Sequence, residues 1–175
     1  MKKILTKNFY TQSTVHVAKK LLGKYLVRRI GAKTIAGKIM EVEIYDGFFD
    51  QASHASYGKT KRNEPMFSEG GVWYVYFTYG IHWMLNIVTG KKEYPAAILI
   101  RAILIDGVPY KKTNGPAKLT KFLKIDDALN TKPASRASGL WIENRGEKPR
   151  KIMKGKRIGV EYAGVWKHKL LRFYI

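Results

Sequence analysis

The chain has 175 residues, 45% of them apolar, and carries 33 Lys and Arg against 13 Asp and Glu, for a net charge of +20. That length can close a hydrophobic core of its own, and the absence of cysteine excludes disulfides, thiolate zinc sites and iron–sulfur clusters. A positive excess this large favours a polyanionic partner, nucleic acid first, over a merely lysine-rich solvated surface.

The first ten residues, "MKKILTKNFY", hold only a two-residue apolar run, so no signal peptide is expected. Thr11–Leu22 reads as a helix with Val15, Ala18, Leu21 and Leu22 as its apolar stripe and Gly23 as its stop. Two strands follow, "KYLVRRI" and "TIAGKIMEVEIY". In the second, alternation turns Met40, Val42 and Ile44 to one face and Glu41, Glu43 and Tyr45 to the other. The segment 46–71 has little periodicity, and a stretch of that length inside a compact domain is often functional. "WYVYFT" and "IHWMLNIV" then read as a β-hairpin around Tyr79-Gly80. "AAILIRAILI" is a buried strand too short to cross a membrane and interrupted by Arg101. Asn114–Lys124 is a second helix opened by Gly115-Pro116 and buried through Leu119, Phe122 and Leu123. Further strands are expected at "GLWIE", "KRIGVEYA" and "LLRFYI", with a strongly basic stretch from Arg145 to Arg157. The order of elements predicts an α+β fold: a single mixed domain over residues 1–175, with a curved, mainly antiparallel sheet flanked by helices and a protruding hairpin.

Chemistry concentrates in three places. Glu41 and Glu43 share a strand face; exposed, they are ordinary acids, but lining a pocket, a carboxylate can activate water beside the aromatic wall of Tyr45. The loop adds His54, a hydrogen-bonding candidate toward a bound heterocycle, and Arg62, flanked by Lys59 and Lys61, for phosphates. Tyr79 stands at the hairpin tip, where on so basic a protein it is placed to act as a wedge between bases. The hairpin also carries a geometric condition. A two-residue loop at Tyr79-Gly80 turns Tyr76 and Asn86 to opposite faces. A three-residue loop over Thr78–Gly80 pairs Tyr76 with His82 and puts Tyr76, His82 and Asn86 on one face. The four histidines form no closely spaced ligand pair, and no metal or other cofactor is expected.

The blocks "GKIMEVEIYDGFFDQASHASYG", "RNEPMF", "YVYFTYGIHWMLNIV", "ILIRA", "NGPAKL" and "RIGVEYAG…LRFYI" together resemble the alkyladenine, or 3-methyladenine, DNA glycosylases, over most of the chain and in the family's order. The resemblance implies a monofunctional DNA repair enzyme of base excision repair. It flips an alkylated or deaminated purine nucleotide from duplex DNA and hydrolyses its N-glycosidic bond, leaving an abasic site. Carried over, Glu43 is the general base that activates water. Arg101 positions that water together with a backbone carbonyl near Ile158. Tyr45, His54 and Tyr76 wall the base pocket, Asn86 disfavours guanine, Tyr79 intercalates, and Arg62, Met66 and Lys118 contact DNA. Two departures stand out. Ile44 replaces the family's usual alanine on the core side, and Ile103-Leu104-Ile105 replaces Leu-Glu-Pro ahead of a short connection to Gly115.

The resemblance also implies damaged double-stranded DNA as the partner; a monomer is the default expectation, and with no signal peptide or membrane-spanning stretch read in the chain, a soluble intracellular protein is expected. A non-catalytic basic nucleic-acid-binding module explains the charge and the aromatics but not Glu41 and Glu43, because acids oppose phosphate binding. A hydrolase of small nucleosides needs no basic footprint.

Overall fold

Runs of β-branched and aromatic residues separated by Gly and Pro turns build a nine-stranded antiparallel sheet with three α-helices, and the computed structural model describes residues 2–175. In chain order the elements are β1 (Lys3–Ile4), α1 (Lys7–Tyr10), α2 (Thr14–Leu21), β2 (Tyr25–Ile30), β3 (Lys33–Asp46), β4 (Trp73–Thr78) and β5 (His82–Val88). β6 (Ala96–Leu104), α3 (Pro116–Phe122), β7 (Leu140–Asn144), β8 (Met153–Gly155) and β9 (Arg172–Tyr174) complete them. The sheet runs β1-β7-β2-β3-β6-β5-β4, with β9 paired to β3 and β8 to β9, and it does not close into a barrel. Among the described residues no helix is long and apolar enough to cross a membrane.

The two faces of this sheet do different work. One face carries Val42, Ile44, Ile98, Ile100, Leu85 and Ile87 against Val17, Ala18 and Leu21 of α2, Leu119 of α3 and Leu123 just after it. Each such side chain stabilises the fold by about 1.5–3 kcal/mol through burial. Among the described residues no strand or α-helix layers the other face. It is partly covered by two irregular segments, 46–71 and 156–168; Ala55, Met66 and Phe67 of the first pack on the sheet, and Ala52 packs with Val160 and Ala163 of the second. The gap between those covers is the site described below.

Several expectations shift in detail. The helix expected over Thr11–Leu22 is α2, which starts at Thr14 and buries Thr14, Val17, Ala18 and Leu21, the regular i, i+3, i+4, i+7 stripe. Val15, one position off that stripe, is 37% exposed. "KRIGVEYA" is not a strand but a chain of turns. Arg157 points inward there and is buried, and Gly159 takes φ +76°, so the segment wraps over the sheet instead of joining it. The aperiodic segment 46–71 is less structureless than its sequence suggests. It contains short 3₁₀ turns at His54–Tyr57 and Glu64–Phe67. Buried Asn63 ties them together, donating to the carbonyls of His54 and Gly58 at 2.8 Å each and accepting the Thr60 N–H at 2.7 Å.

The alternation of β3 is not clean either. Ile39 pairs with Ile103 and Val42 with Ile100, all four in the core. Two residues therefore intervene on each strand where alternation has room for one: Met40 and Glu41 on β3, Arg101 and Ala102 on β6. Met40 is consequently only half-buried and does not share the core face of Val42 and Ile44. Irregularities of this kind re-aim side chains, and this one brings Arg101 against Glu41 and Glu43. Ile44 sits wholly in the core as expected, as do Ile103 and Ile105, while Leu104 faces outward.

Candidate active site

Sheet register assembles the site one rung at a time. Glu43 on β3 pairs with Leu99 on β6, Leu99 with Asn86 on β5, and Asn86 with Tyr74 on β4. These four side chains therefore share a row across four strands, on the face opposite the main core. Tyr45 and Tyr76 stand two positions along from Glu43 and Tyr74 on the same face. The hairpin turn makes this possible. β4 ends at Thr78 and β5 begins at His82, so the loop is the odd, three-residue Tyr79–Ile81, one position later than the expected Thr78–Gly80. Tyr76 pairs with Met84 rather than His82, yet Tyr76 and Asn86 share a face. Tyr79 and Gly80 take φ values of +52° and +67°, and the Ile81 N–H closes the turn on the Thr78 carbonyl at 3.1 Å.

The result is a cleft of about 310 Å³, enough for a nucleobase. Tyr45, His54, Tyr76 and Asn86 line it together with Arg62, Arg101 and Tyr79. Lys118 does not line it; it is exposed on α3, close to Pro116 at the rim, and donates to the Asn114 side-chain carbonyl at 3.1 Å. Met66 stands differently from the expectation of a DNA contact. It is 2% exposed and packs with Ala55, Phe67 and Tyr74, so it reaches the site only as part of the cleft's lining and presents no outer surface.

Glu43 has no exposed surface and does not itself line the cleft; it sits directly behind Tyr45, Arg101 and Ile158, which do. Its Oε1 accepts the Ile158 backbone N–H at 2.8 Å. Its Oε2 accepts the Tyr45 hydroxyl at 3.0 Å and Arg101 Nη1 at 3.3 Å. Burial raises its proton affinity above the ordinary carboxylate range; Arg101 and the Ile158 and Tyr45 donors oppose that rise without cancelling it. At this point of the chain it is the Ile158 N–H, not a carbonyl, that touches the carboxylate. Arg101 also donates to Glu41 at 3.0 Å, so its guanidinium bridges the two acids, and Glu41 accepts Arg172 at 3.1 Å as well.

His54 makes the opposite electrostatic statement. Burial, with the positive charge of Arg62 adding to it, lowers its pKa to about 4, so the ring is neutral at physiological pH. Its Nδ1 lies 2.8 Å from the Tyr74 hydroxyl, and its ring packs edge-on to Tyr76 at 4.7 Å. Burial raises Tyr45 and Tyr74 well above the usual phenol range and Tyr76 to about 12, so all three remain neutral. The cleft thus offers neutral, electron-rich aromatic faces and one buried acid, a setting that favours a cationic ring. Asn86 is fixed: its side-chain nitrogen donates to the Tyr74 carbonyl at 3.1 Å, as a cross-strand partner can. Arg62 donates to the Phe77 carbonyl at 3.1 Å and lies over the Tyr76 ring at 5.2 Å, bracing the hairpin. Tyr79 is 84% exposed at the mouth.

Four contributing residues carried no local sequence signal. Tyr74 lay inside a strand that its aromatic pattern assigned to a hairpin without singling it out. Tyr162, 70% exposed at the cleft mouth, lay in an expected strand. Asp50 and Arg157 form a buried ion pair across more than a hundred residues of chain, which no spacing rule can anticipate.

Comparison with known proteins agrees with the motifs. The family model for methylpurine-DNA glycosylase matches residues 8–175. A protein of Legionella pneumophila (strain Paris), named "Putative 3-methyladenine DNA glycosylase", is 42% identical over 175 residues, covering 100% of this chain and 95% of its own. Proteins with the same name from Methanocella arvoryzae and Psychrobacter cryohalolentis are 41% and 40% identical, covering 98% and 97% of this chain and 92% and 91% of theirs. With a match over nearly its whole length, the chain belongs to the methylpurine-DNA glycosylase family of DNA repair enzymes.

Proposed function

We propose that this protein turns an alkylated or deaminated purine nucleotide out of duplex DNA into the cleft and hydrolyses its N-glycosidic bond with a water activated by Glu43. The observation that carries the proposal is a fully buried carboxylate hydrogen-bonded to three residues that line the aromatic cleft, Tyr45, Arg101 and Ile158, in a protein of net charge +20. The water oxygen bonds to C1′ of the sugar as the bond from C1′ to the base nitrogen breaks. The departing base takes that electron pair, and Glu43 takes the water's proton. An anionic Glu43 also stabilises the positive charge that builds on the sugar. A base already cationic from alkylation leaves neutral and needs no further acid. Arg101, which donates to both Glu41 and Glu43, holds the base's carboxylate toward the cleft.

Around that step, the aromatic side chains do the recognition. Tyr45 and Tyr76 sandwich the flipped ring, and neutral His54 adds no charge to repel a cationic lesion. Asn86 crowds the exocyclic amine of normal guanine. Tyr79 fills the space left in the stack, and Arg62 and Lys118 contact phosphates as the outer grip on one monomer.

The test is a duplex carrying a single alkylated adenine. Wild type releases the free base and leaves an alkali-sensitive abasic site. Glu43→Gln binds the same duplex yet slows release by about a hundredfold or more, the scale of a lost general base. Binding without release by wild type sinks the enzyme reading and leaves a non-catalytic DNA-binding module.

A further inference from the structure

Two buried charges have no part in the reaction above. The Arg157 and Asp50 side chains are fully enclosed. The guanidinium donates through both terminal nitrogens to the Asp50 carboxylate, and Nη1 also donates to the Ile44 carbonyl at 2.8 Å. Asp50 in turn accepts the N–H of Ala52 at 3.1 Å and of Asp46 at 3.3 Å. One donor, Arg157 Nε, is buried with no partner. Burying such a pair is weak evidence for stability, because two desolvated ions seldom outdo an apolar pair of the same volume. Its placement suggests another use.

The pair lies behind both of the neutral donors to Glu43. Ile158, whose N–H reaches Glu43 at 2.8 Å, is the next residue after Arg157. Tyr45, whose hydroxyl reaches Glu43 at 3.0 Å, has its ring 4.8 Å from the Arg157 guanidinium carbon. A single ion pair therefore ties together the end of β3, the start of the 46–71 cover and the 156–168 cover.

We infer that the Arg157–Asp50 pair is the positioning device of this site, holding the Ile158 amide and the Tyr45 hydroxyl so that both donate to ionised Glu43. The inference rests on the glycosylase reading. The other groups facing Glu43 are Arg101 from β6, Glu41 from its own strand with Arg172 of β9 behind it, and Tyr76 from β4; none of them touches the pair. Losing two donors disfavours the carboxylate, so the low-pH limb of the rate profile moves to higher pH.

The experiment measures single-turnover release of methylated purines from dimethyl-sulfate-treated duplex DNA between pH 5 and 9. It compares wild type, Arg157→Lys and the charge-free double variant Asp50→Leu with Arg157→Met. In the double variant the rate falls about tenfold at pH 6 but less than about threefold at pH 9, as a displaced ionisation requires. Arg157→Lys keeps the charge but cannot span Asp50 and the Ile44 carbonyl, and falls between. Affinity for a duplex bearing a tetrahydrofuran abasic analogue stays within about twofold, since the pair touches no DNA. A folded variant with the wild-type limb, or one slowed equally at every pH, overturns the inference. If the double variant does not fold by circular dichroism, Arg157→Lys decides alone: a limb moved to higher pH supports the positioning role and an unmoved limb overturns it. A wild type that releases no purine removes the glycosylase reading, and this inference with it.

Discussion

At the scale of single residues, Glu43 shows how a site can work against the fold that carries it. Its proton affinity is raised in the folded chain because burial outweighs its three donors. A carboxyl raised on folding contributes fully below its unfolded pKa, and that contribution is lost as pH rises from the ordinary carboxylate value of 4.5 through the raised folded value. Above that window the ionised group burdens the native state. Glu43→Gln removes the charge and keeps an oxygen for the Ile158 N–H. We therefore expect Glu43→Gln to be more stable than wild type at pH 7–8 by about 1 kcal/mol. For a chain of this size that is about 2–4 °C in Tm. Calorimetry at pH 4 and pH 7.5 checks it: the gap should close at pH 4. A Gln variant less stable than wild type at pH 7.5 contradicts the argument.

At the scale of elements, the β4–β5 hairpin couples recognition to register. Its odd turn is what lets Tyr76 and Asn86 share a face, and the same turn lifts Tyr79 to an exposed tip in a left-handed backbone conformation that costs a non-glycine residue about 1–2 kcal/mol. Such local strain is tolerated where the residue has work to do. Tyr79→Ala should leave Tm unchanged within about 1 °C, because the ring packs against little. It should weaken release from a lesion-bearing duplex by roughly tenfold or more, from a stacking contribution of about 1–3 kcal/mol. Release from single strands, where no stack needs refilling, should change far less. Equal losses on both substrates contradict the wedge. Much of this element was legible in the chain: period-two alternation gave the strands, Tyr79-Gly80 gave the turn, and the shared-face condition followed from parity. The irregular elements were not legible. The Met40–Glu41 irregularity in β3 requires the matching one at Arg101–Ala102, and only the paired register reveals either. The segment 156–163 has apolar residues at strand-like spacing, yet a buried ion pair to Asp50 decides its path. Long-range polar contacts leave no periodic trace, and they are what completes the site.

At the scale of the molecule, charge is sorted by depth. Glu43, Asp50 and Glu143 are buried and Glu41 is half-buried, and these four are paired with Arg101, Arg172, Arg157 and Arg145. The surface therefore remains strongly basic although acids lie at the heart of the site. On the proposed reading, this division removes the conflict between phosphate binding and a catalytic carboxylate: the acids are held by their own arginines, which leaves the exposed lysines for the phosphates. It also separates two dependences on salt. Binding to undamaged duplex releases counterions, and if about six phosphates are engaged, affinity should fall on the order of a thousandfold between 50 and 200 mM salt. The single-turnover rate at saturating DNA depends on buried groups that salt hardly reaches, and should change by less than about twofold. Fluorescence anisotropy and rapid-quench kinetics across the same salt series measure the two quantities side by side. A binding constant indifferent to salt means that the basic surface is not the DNA-binding surface; a chemical step as steep as binding means that Glu43 and Arg101 are not sealed from solvent in the working complex.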